Sequence, residues 1–178
     1  MKRIALLGLL SVAVMANENG FYVGGEVGTT HTKASDIISG TATNYTSNRI
    51  SEALNAGYYL NQNSRAYVGY QHVNADMQKN IPASTNMYSV GYDYLFGTST
   101  LKPFVGAILG YSTYTDGDFK VNGMVYGAQA GVDYKLNNNF SFDAGYRYLS
   151  SSAETTYSDN KSTMDSFQTF FVGAYYKF

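Results

Sequence analysis

The chain of 178 residues contains no cysteine, no tryptophan and only two prolines, and just 14% of its residues are charged. Without cysteine there is no disulfide, no thiolate metal site, no thiol nucleophile and no N-terminal cysteine to carry lipid. Charged residues make up ~25% of a typical soluble domain, so charge is scarce here, yet the apolar share of 44% is ordinary. A formal net charge of −1 supplies no basic field for nucleic acid, and the length fits one domain. What the chain does hold is 18 tyrosines, 10 phenylalanines and 18 glycines. Glycine-rich segments tend towards disorder and disordered segments are poor in aromatics, so the pairing argues against a linker or tail.

Lys2 and Arg3 precede an apolar run from Ile4 to Val14, followed by Val14-Met15-Ala16 and the polar Asn17-Glu18-Asn19. A basic start, a short apolar stretch and small residues before a cut describe a secretory signal peptide, with cleavage expected between Ala16 and Asn17. The run is about half of the ~20 apolar residues a spanning helix needs, which argues against an anchor. The expected organisation is a signal peptide over 1–16 and one domain over 17–178. No other segment is apolar enough to cross a membrane as a helix.

A period of two organises the rest. Tyr126, Ala128, Ala130, Val132 and Tyr134 fall on one face of a strand, and Val125, Gly127, Gln129, Gly131 and Asp133 on the other. The same alternation predicts eight strands, at about 20–31, 49–61, 64–73, 86–96, 102–115, 123–136, 139–150 and 166–178. Connections at 61–64, 97–101 and 137–139 are short, whereas those at 32–48, 74–85, 116–122 and 151–165 are long and polar. Short turns on one side and long loops on the other predict an all-β, eight-stranded antiparallel up-and-down barrel of the outer-membrane type, with the short turns in the periplasm.

Face composition decides which solvent each side meets. A soluble ligand-binding barrel turns its apolar face inward; a lipid-facing barrel does the reverse. Eleven of the 18 glycines fall on the polar face and eleven of the 18 tyrosines on the other. Small residues suit a crowded eight-stranded interior and amphipathic rings suit the outside. The rings also sort by height. Tyr88, Tyr111, Tyr126, Tyr148 and Phe170 lie near the long-loop ends, and Phe21, Tyr58, Tyr94, Tyr134, Phe140 and Tyr176 near the short turns, with aliphatic residues between. Two aromatic girdles around an aliphatic band are what a bilayer selects.

The inward face carries Glu26, Arg65, Asp93, Asp133, Lys135, Asp143, Arg147 and Lys177. The expectation is that Arg65 and Arg147 bridge to acids among Glu26, Asp93, Asp133 and Asp143 and form a polar plug; the alternative is a set of charges near the rims that merely see solvent.

The last strand alternates Phe170, Val172, Ala174, Tyr176 and Phe178 on one face and ends on an aromatic residue, which resembles the terminal signature read by the bacterial outer-membrane assembly machinery. Lys102-Pro103-Phe104-Val105-Gly106-Ala107-Ile108-Leu109-Gly110-Tyr111 is similar to the fifth strand of the small outer-membrane barrels related to the OmpA transmembrane domain, OmpX and the neisserial opacity proteins. The stretches 126–134 and 144–148 resemble the sixth and seventh strands of that family. The resemblance implies a Gram-negative outer membrane, passage by way of periplasmic chaperones and the assembly machinery, contact with outer-membrane lipid and lipopolysaccharide, and in some relatives adhesion to a host or cell-surface ligand. No periplasmic peptidoglycan-binding domain follows Phe178 in this sequence, so no wall tether is expected.

Lipid-editing barrels use a histidine with a serine or acid partner at the membrane edge. The two histidines here, His31 and His72, have no serine two residues on; Glu52, on the outward face of the second strand, could partner His72 but is more simply solvated. No catalytic residue is assigned, and no metal cluster or cofactor loop appears, because the glycines lie in strands with no helix following. The expected role is structural or surface-interacting, carried by the long loops at 32–48 and 151–165, read as solvated caps. The rival is a narrow small-solute pore along a thin water path left by inward glycines.

Overall fold

The computed structural model describes residues 19–38, 41–74, 83–116, 119–157 and 160–178. Eight antiparallel strands, β1 (Gly20–Ile38), β2 (Thr41–Asn61), β3 (Ser64–Asn74), β4 (Ala83–Leu95), β5 (Leu101–Asp116), β6 (Phe119–Lys135), β7 (Phe140–Tyr157) and β8 (Asn160–Lys177), pair in sequence order and close β1 onto β8. The proposed cleavage site at Ala16 and Asn17 lies outside the described residues.

Register sets the shape. Followed one way around the barrel, Val27 leads through Glu52, His72, Asn86 and Thr113 to Asn122 of β6. Followed the other way, it leads through Val172 and Ala144 to Val132 of the same strand. The stagger of ten residues makes the strands tilt, by ~35–45° in barrels of this kind. Each strand therefore alternates strictly: Asp133, Gln129 and Val125 point inward and are buried, while Tyr134, Val132 and Tyr126 face out.

The outer wall is an apolar belt, with Leu54 68% and Phe170 67% exposed. The girdle residues Tyr88, Tyr94, Tyr111, Tyr126, Tyr134 and Tyr148 are exposed, and Tyr58 is half-buried beside Phe21, ring against ring at 4.9 Å. Phe170, Val172, Ala174 and Tyr176 share the outer face of β8, and the Phe178 amide donates to the Phe21 carbonyl at 2.9 Å, helping to close the seam. The short turns are tied by side chains: Asn63 Nδ2 donates to the carbonyls of Leu95 and Gly97, and Gly97 takes a positive φ of 80° that favours glycine.

Two expectations need correction. The segments 32–48 and 151–165, read as long loops, are largely paired among the described residues: β1 and β2 run together as far as Ile38 opposite Thr41, β7 and β8 as far as Tyr157 opposite Asn160, and β1 stays on β8 as far as Ile37 opposite Lys161. These runs are rich in Thr, Ser and Asn and lack an apolar face, so alternation could not reveal them; β-branched threonines and backbone ladders hold them instead. The second correction concerns the interior. Rings also point inward: Tyr22, Tyr59, Tyr67, Phe104, Phe167, Phe171 and Tyr175 are all buried. Some of the inward glycines make room for them. A Cβ on Gly57 would lie 2.6 Å from the Tyr22 ring, one on Gly145 would lie 2.8 Å from the Phe171 ring, and one on Gly91 would strike Tyr67. These three glycines thus receive rings.

Candidate functional site

The lumen is layered. At its periplasmic end Tyr22, Tyr59, Leu95, Phe104 and Tyr175 surround Arg65. The Arg65 guanidinium reaches three strands: Nε donates to Asp93 Oδ2 at 2.8 Å, Nη2 to Asp143 Oδ2 at 2.6 Å, and Nη1 sits 3.6 Å from Asp133 Oδ2. Phe104 packs against its flat face, with the guanidinium carbon 5.0 Å from the ring centroid. Both Asp133 oxygens and Asp143 Oδ1 lack a hydrogen-bond partner among the described residues, and Arg65 is a cation that faces all three carboxylates of this cluster.

Higher up, Arg147 forms a second centre. Its Nη2 contacts both Glu26 oxygens, at 3.2 and 3.0 Å, its Nη1 donates to Gln71 Oε1 and its Nε to Gln129 Oε1. Glu26 also accepts from Tyr175 Oη at 2.5 Å and Asn55 Nδ2 at 2.8 Å. Gln129 joins the two centres, because its Nε2 donates to Asp93 Oδ1 at 2.8 Å. Above them lie Thr30, Ser51 and Thr169, hydrogen-bonded to one another on the adjacent strands β1, β2 and β8. An apolar layer of Val73, Met87, Val125, Leu149 and Phe167 follows at the extracellular end.

The six charged residues singled out in the sequence, Glu26, Arg65, Asp93, Asp133, Asp143 and Arg147, are thus all buried and connected, directly or through Gln129. Lys135 and Lys177 are half-buried, and Lys177 Nζ lies 5.5 Å from the Tyr59 ring centroid. Sequence reasoning missed the neutral members Asn55, Gln71 and Gln129, the phenol of Tyr175, and Lys102. Lys102 is 2% exposed, stands opposite Asp133 in the β5–β6 ladder and donates to the Gln62 carbonyl at 2.7 Å. Inward parity was the available signal: Lys102 and Phe104 share the face of Gly106, and Gln129 that of Asp133.

The two histidines lie on the outer wall. His31 Nδ1 meets Asn48 Oδ1 at 2.6 Å and His72 Nδ1 meets Asn86 Oδ1 at 2.8 Å, each across one strand pair. Neither has a serine partner among the described residues. Glu52 is exposed and stands directly opposite His72.

Above the girdle the ladders continue in the order β2, β1, β8, β7 and, on the other side, β4, β5, β6. Among the described residues the β2–β3 ladder ends at Ser51 opposite Val73 and the β6–β7 ladder at Ser151 opposite Val125, with Gly123 of β6 still packed on Ala153 of β7. Register shifts at Lys33/Ala34 and Ser150/Ala153 mark where the sheet departs from the cylinder. Ser35 Oγ donates to Asp165 Oδ2 at 2.6 Å across β1 and β8. Met124 N donates to Ser152 Oγ, which covers the β7 side. The outward edge of β2, residues 41–50, is unpaired among the described residues.

A closed eight-stranded barrel with a lipid-facing apolar belt and a polar, side-chain-filled lumen is an integral protein of a Gram-negative outer membrane. Comparison with known families agrees: residues 4–178 match the model of the outer membrane protein beta-barrel domain, and the chain belongs to that family. It is similar to neisserial surface protein A (NspA), at 25% identity and a TM-score of 0.72 over 89% of this chain and 97% of that one. It also shares its fold with OprG of Pseudomonas aeruginosa, at 14% identity and a TM-score of 0.61 over 91% of this chain and 97% of the other. An uncharacterized protein of Haemophilus influenzae is 25% identical over 167 residues, 83% of this chain and 89% of the relative.

Proposed function

We propose that this barrel is a non-enzymatic surface protein that meets partners outside the cell through the sheet formed by the upper parts of β2, β1, β8 and β7, with the lumen serving as a rigid plug. The edge of β2 that is unpaired among the described residues carries the reading. Residues 41–50 offer about 33 Å of backbone donors and acceptors on one side, at ~3.3 Å per residue, with Arg49 the only charge among them. Such an edge is a template for an added strand unless something blunts it. The connected lumen weighs against a pore, because Arg65, Arg147 and Gln129 bond across the bore and Phe104 and Phe171 stack on the two guanidinium groups.

The test is a variant in which residues 33–47 are replaced by a tight turn. Cells displaying wild type or variant are scored for attachment to cultured epithelial cells and to lipopolysaccharide-coated surfaces. The expected result is loss of attachment with the boiled-against-unboiled gel shift of the barrel retained. Undiminished attachment on both surfaces by a correctly folded variant refutes the reading.

A further inference from the structure

The ring pairs of the outer wall follow a rule with one exception. Among the described residues each joins a tyrosine to a phenylalanine, as in Phe21 with Tyr58 and Tyr146 with Phe170. Tyr70 and Tyr88 instead set two phenols side by side. The other tyrosine pairs, Tyr22 with Tyr59 and Tyr22 with Tyr175, lie in the lumen, where none of the three rings is more than 5% exposed.

Register and exposure define this pair. Tyr70 of β3 and Tyr88 of β4 stand directly opposite each other in the ladder, on the outer face at the height of the upper girdle, and are 36% and 60% exposed. Their ring centroids are 5.2 Å apart and their planes are tilted by 42°. The backbone ladder keeps such cross-strand neighbours together, with Cβ atoms ~4.5–5.5 Å apart. A side-chain bond adds to it: Tyr70 Oη donates to Asn86 Oδ1 at 2.7 Å, and Asn86 is two residues from Tyr88 on the same face of β4. Tyr111 of β5 stands opposite Tyr88 on its other side, but only Tyr70 has its ring against the Tyr88 ring.

The phenol is what separates this pair from the tyrosine–phenylalanine ones. A phenol that gives up one electron and its hydroxyl proton becomes a phenoxyl radical, with unpaired spin on the ring carbons beside the oxygen. Phenylalanine has no hydroxyl to lose and forms no such radical. Two phenoxyl radicals held ring against ring combine by a bond between one Cε of each. The hydrogens on the joined carbons then pass to the oxygens, which restores both aromatic rings and both hydroxyl groups. In total the two tyrosines lose two electrons and two protons. Hydrogen peroxide acting through a haem peroxidase takes up both electrons and both protons and leaves as two molecules of water.

We propose that Tyr70 and Tyr88 form an oxidative cross-linking site, where hydrogen peroxide and a haem peroxidase outside the cell join β3 to β4 through a dityrosine bond. The bond closes a covalent loop from residue 70 to residue 88 that includes the connection between the two strands. Like a disulfide, it withdraws loop freedom from the unfolded chain. The site is separate from the extracellular sheet and does not rest on the role assigned to it.

The absence of tryptophan makes a direct test practical, because dityrosine emission is then read against tyrosine alone. Protein refolded into phosphatidylcholine vesicles is treated with hydrogen peroxide and a haem peroxidase. Trypsin, cutting after Arg65 and Lys79, separates the two rings, and mass spectrometry shows which peptides remain joined. The expected result is a product of monomeric gel mobility in which peptide 66–79 is bonded to the peptide carrying Tyr88, lighter by two hydrogens than their sum, with fragment ions that place the bond at Tyr70 and Tyr88. Tyr70→Phe and Tyr88→Phe should each abolish the link and most of the emission while keeping the boiled-against-unboiled gel shift. Oxidation without dityrosine, a bond between other tyrosines or between separate chains, or emission unchanged in both variants overturns the proposal.

Discussion

Replacing Arg65 by methionine keeps the length of the side-chain stem and removes the charge on which three strands converge. Asp93, Asp133 and Asp143 are each no more than 2% exposed, and the guanidinium lies 2.8, 3.6 and 2.6 Å from them. Breaking a buried ion pair by removing one partner costs about 3–5 kcal/mol, because the other charge is left in a medium that cannot solvate it. With three carboxylates stranded and no guanidinium stacked on Phe104, the effect should fall at the upper end, about 4–5 kcal/mol. At a urea slope of ~2 kcal/mol/M the midpoint falls by roughly 2 M. The assay is urea unfolding of protein refolded into detergent micelles, followed by circular dichroism from both the folded and unfolded directions. The triple variant Arg65→Met, Asp93→Asn, Asp143→Asn should recover more than half of the loss, since it removes two of the three stranded charges as well as their partner. A midpoint drop below about 0.5 M for the single variant would refute the claim that Arg65 balances this cluster.

Gln129→Leu cuts the bridge between the two arginine centres and should cost about 1–3 kcal/mol in the same assay, the penalty of leaving Asp93 Oδ1 and Arg147 Nε without that partner. Gly91→Val should cost about 1–3 kcal/mol by driving a side chain into the Tyr67 ring, and Tyr67→Leu in the same chain should recover most of it; no recovery would mean that the glycine serves the backbone rather than the ring. Purified wild-type protein in planar bilayers should show no steady conductance, and a stable open level would show that the layered lumen leaves a continuous water path.

How far the sequence carries can be judged residue by residue. Tyr126 to Lys135 alternates so regularly that its strand and both its faces were readable directly, and the girdles followed from the heights of Tyr88, Tyr94, Tyr111, Tyr134 and Tyr148. Alternation fails where both faces carry rings. Phe170 faces out and Phe171 in, Tyr176 faces out and Tyr175 in, and nothing local distinguishes the members of each pair. It fails again above the membrane, where residues 41–50 have no apolar face for burial to sort. The partners of the lumen charges depend on the stagger of ten residues, which brings Arg65 beside Asp143 across 78 positions of sequence. That number belongs to the closed cylinder and to no single strand.

The closure between β1 and β8 joins the two ends of the chain, and such a long-range pairing forms last and opens first when a barrel comes apart. Glu26 on β1 is held by Tyr175 on β8, Arg147 on β7 and Asn55 on β2, so the same carboxylate fastens the strands on either side of the join. Separating the two edges therefore requires the bonds from Tyr175 and Arg147 to Glu26 to break together with the ladder before any strand can peel away. The polar interior thus acts as a latch on the rate of escape from the membrane-inserted state, and its importance would show in lifetime under load rather than in equilibrium stability alone.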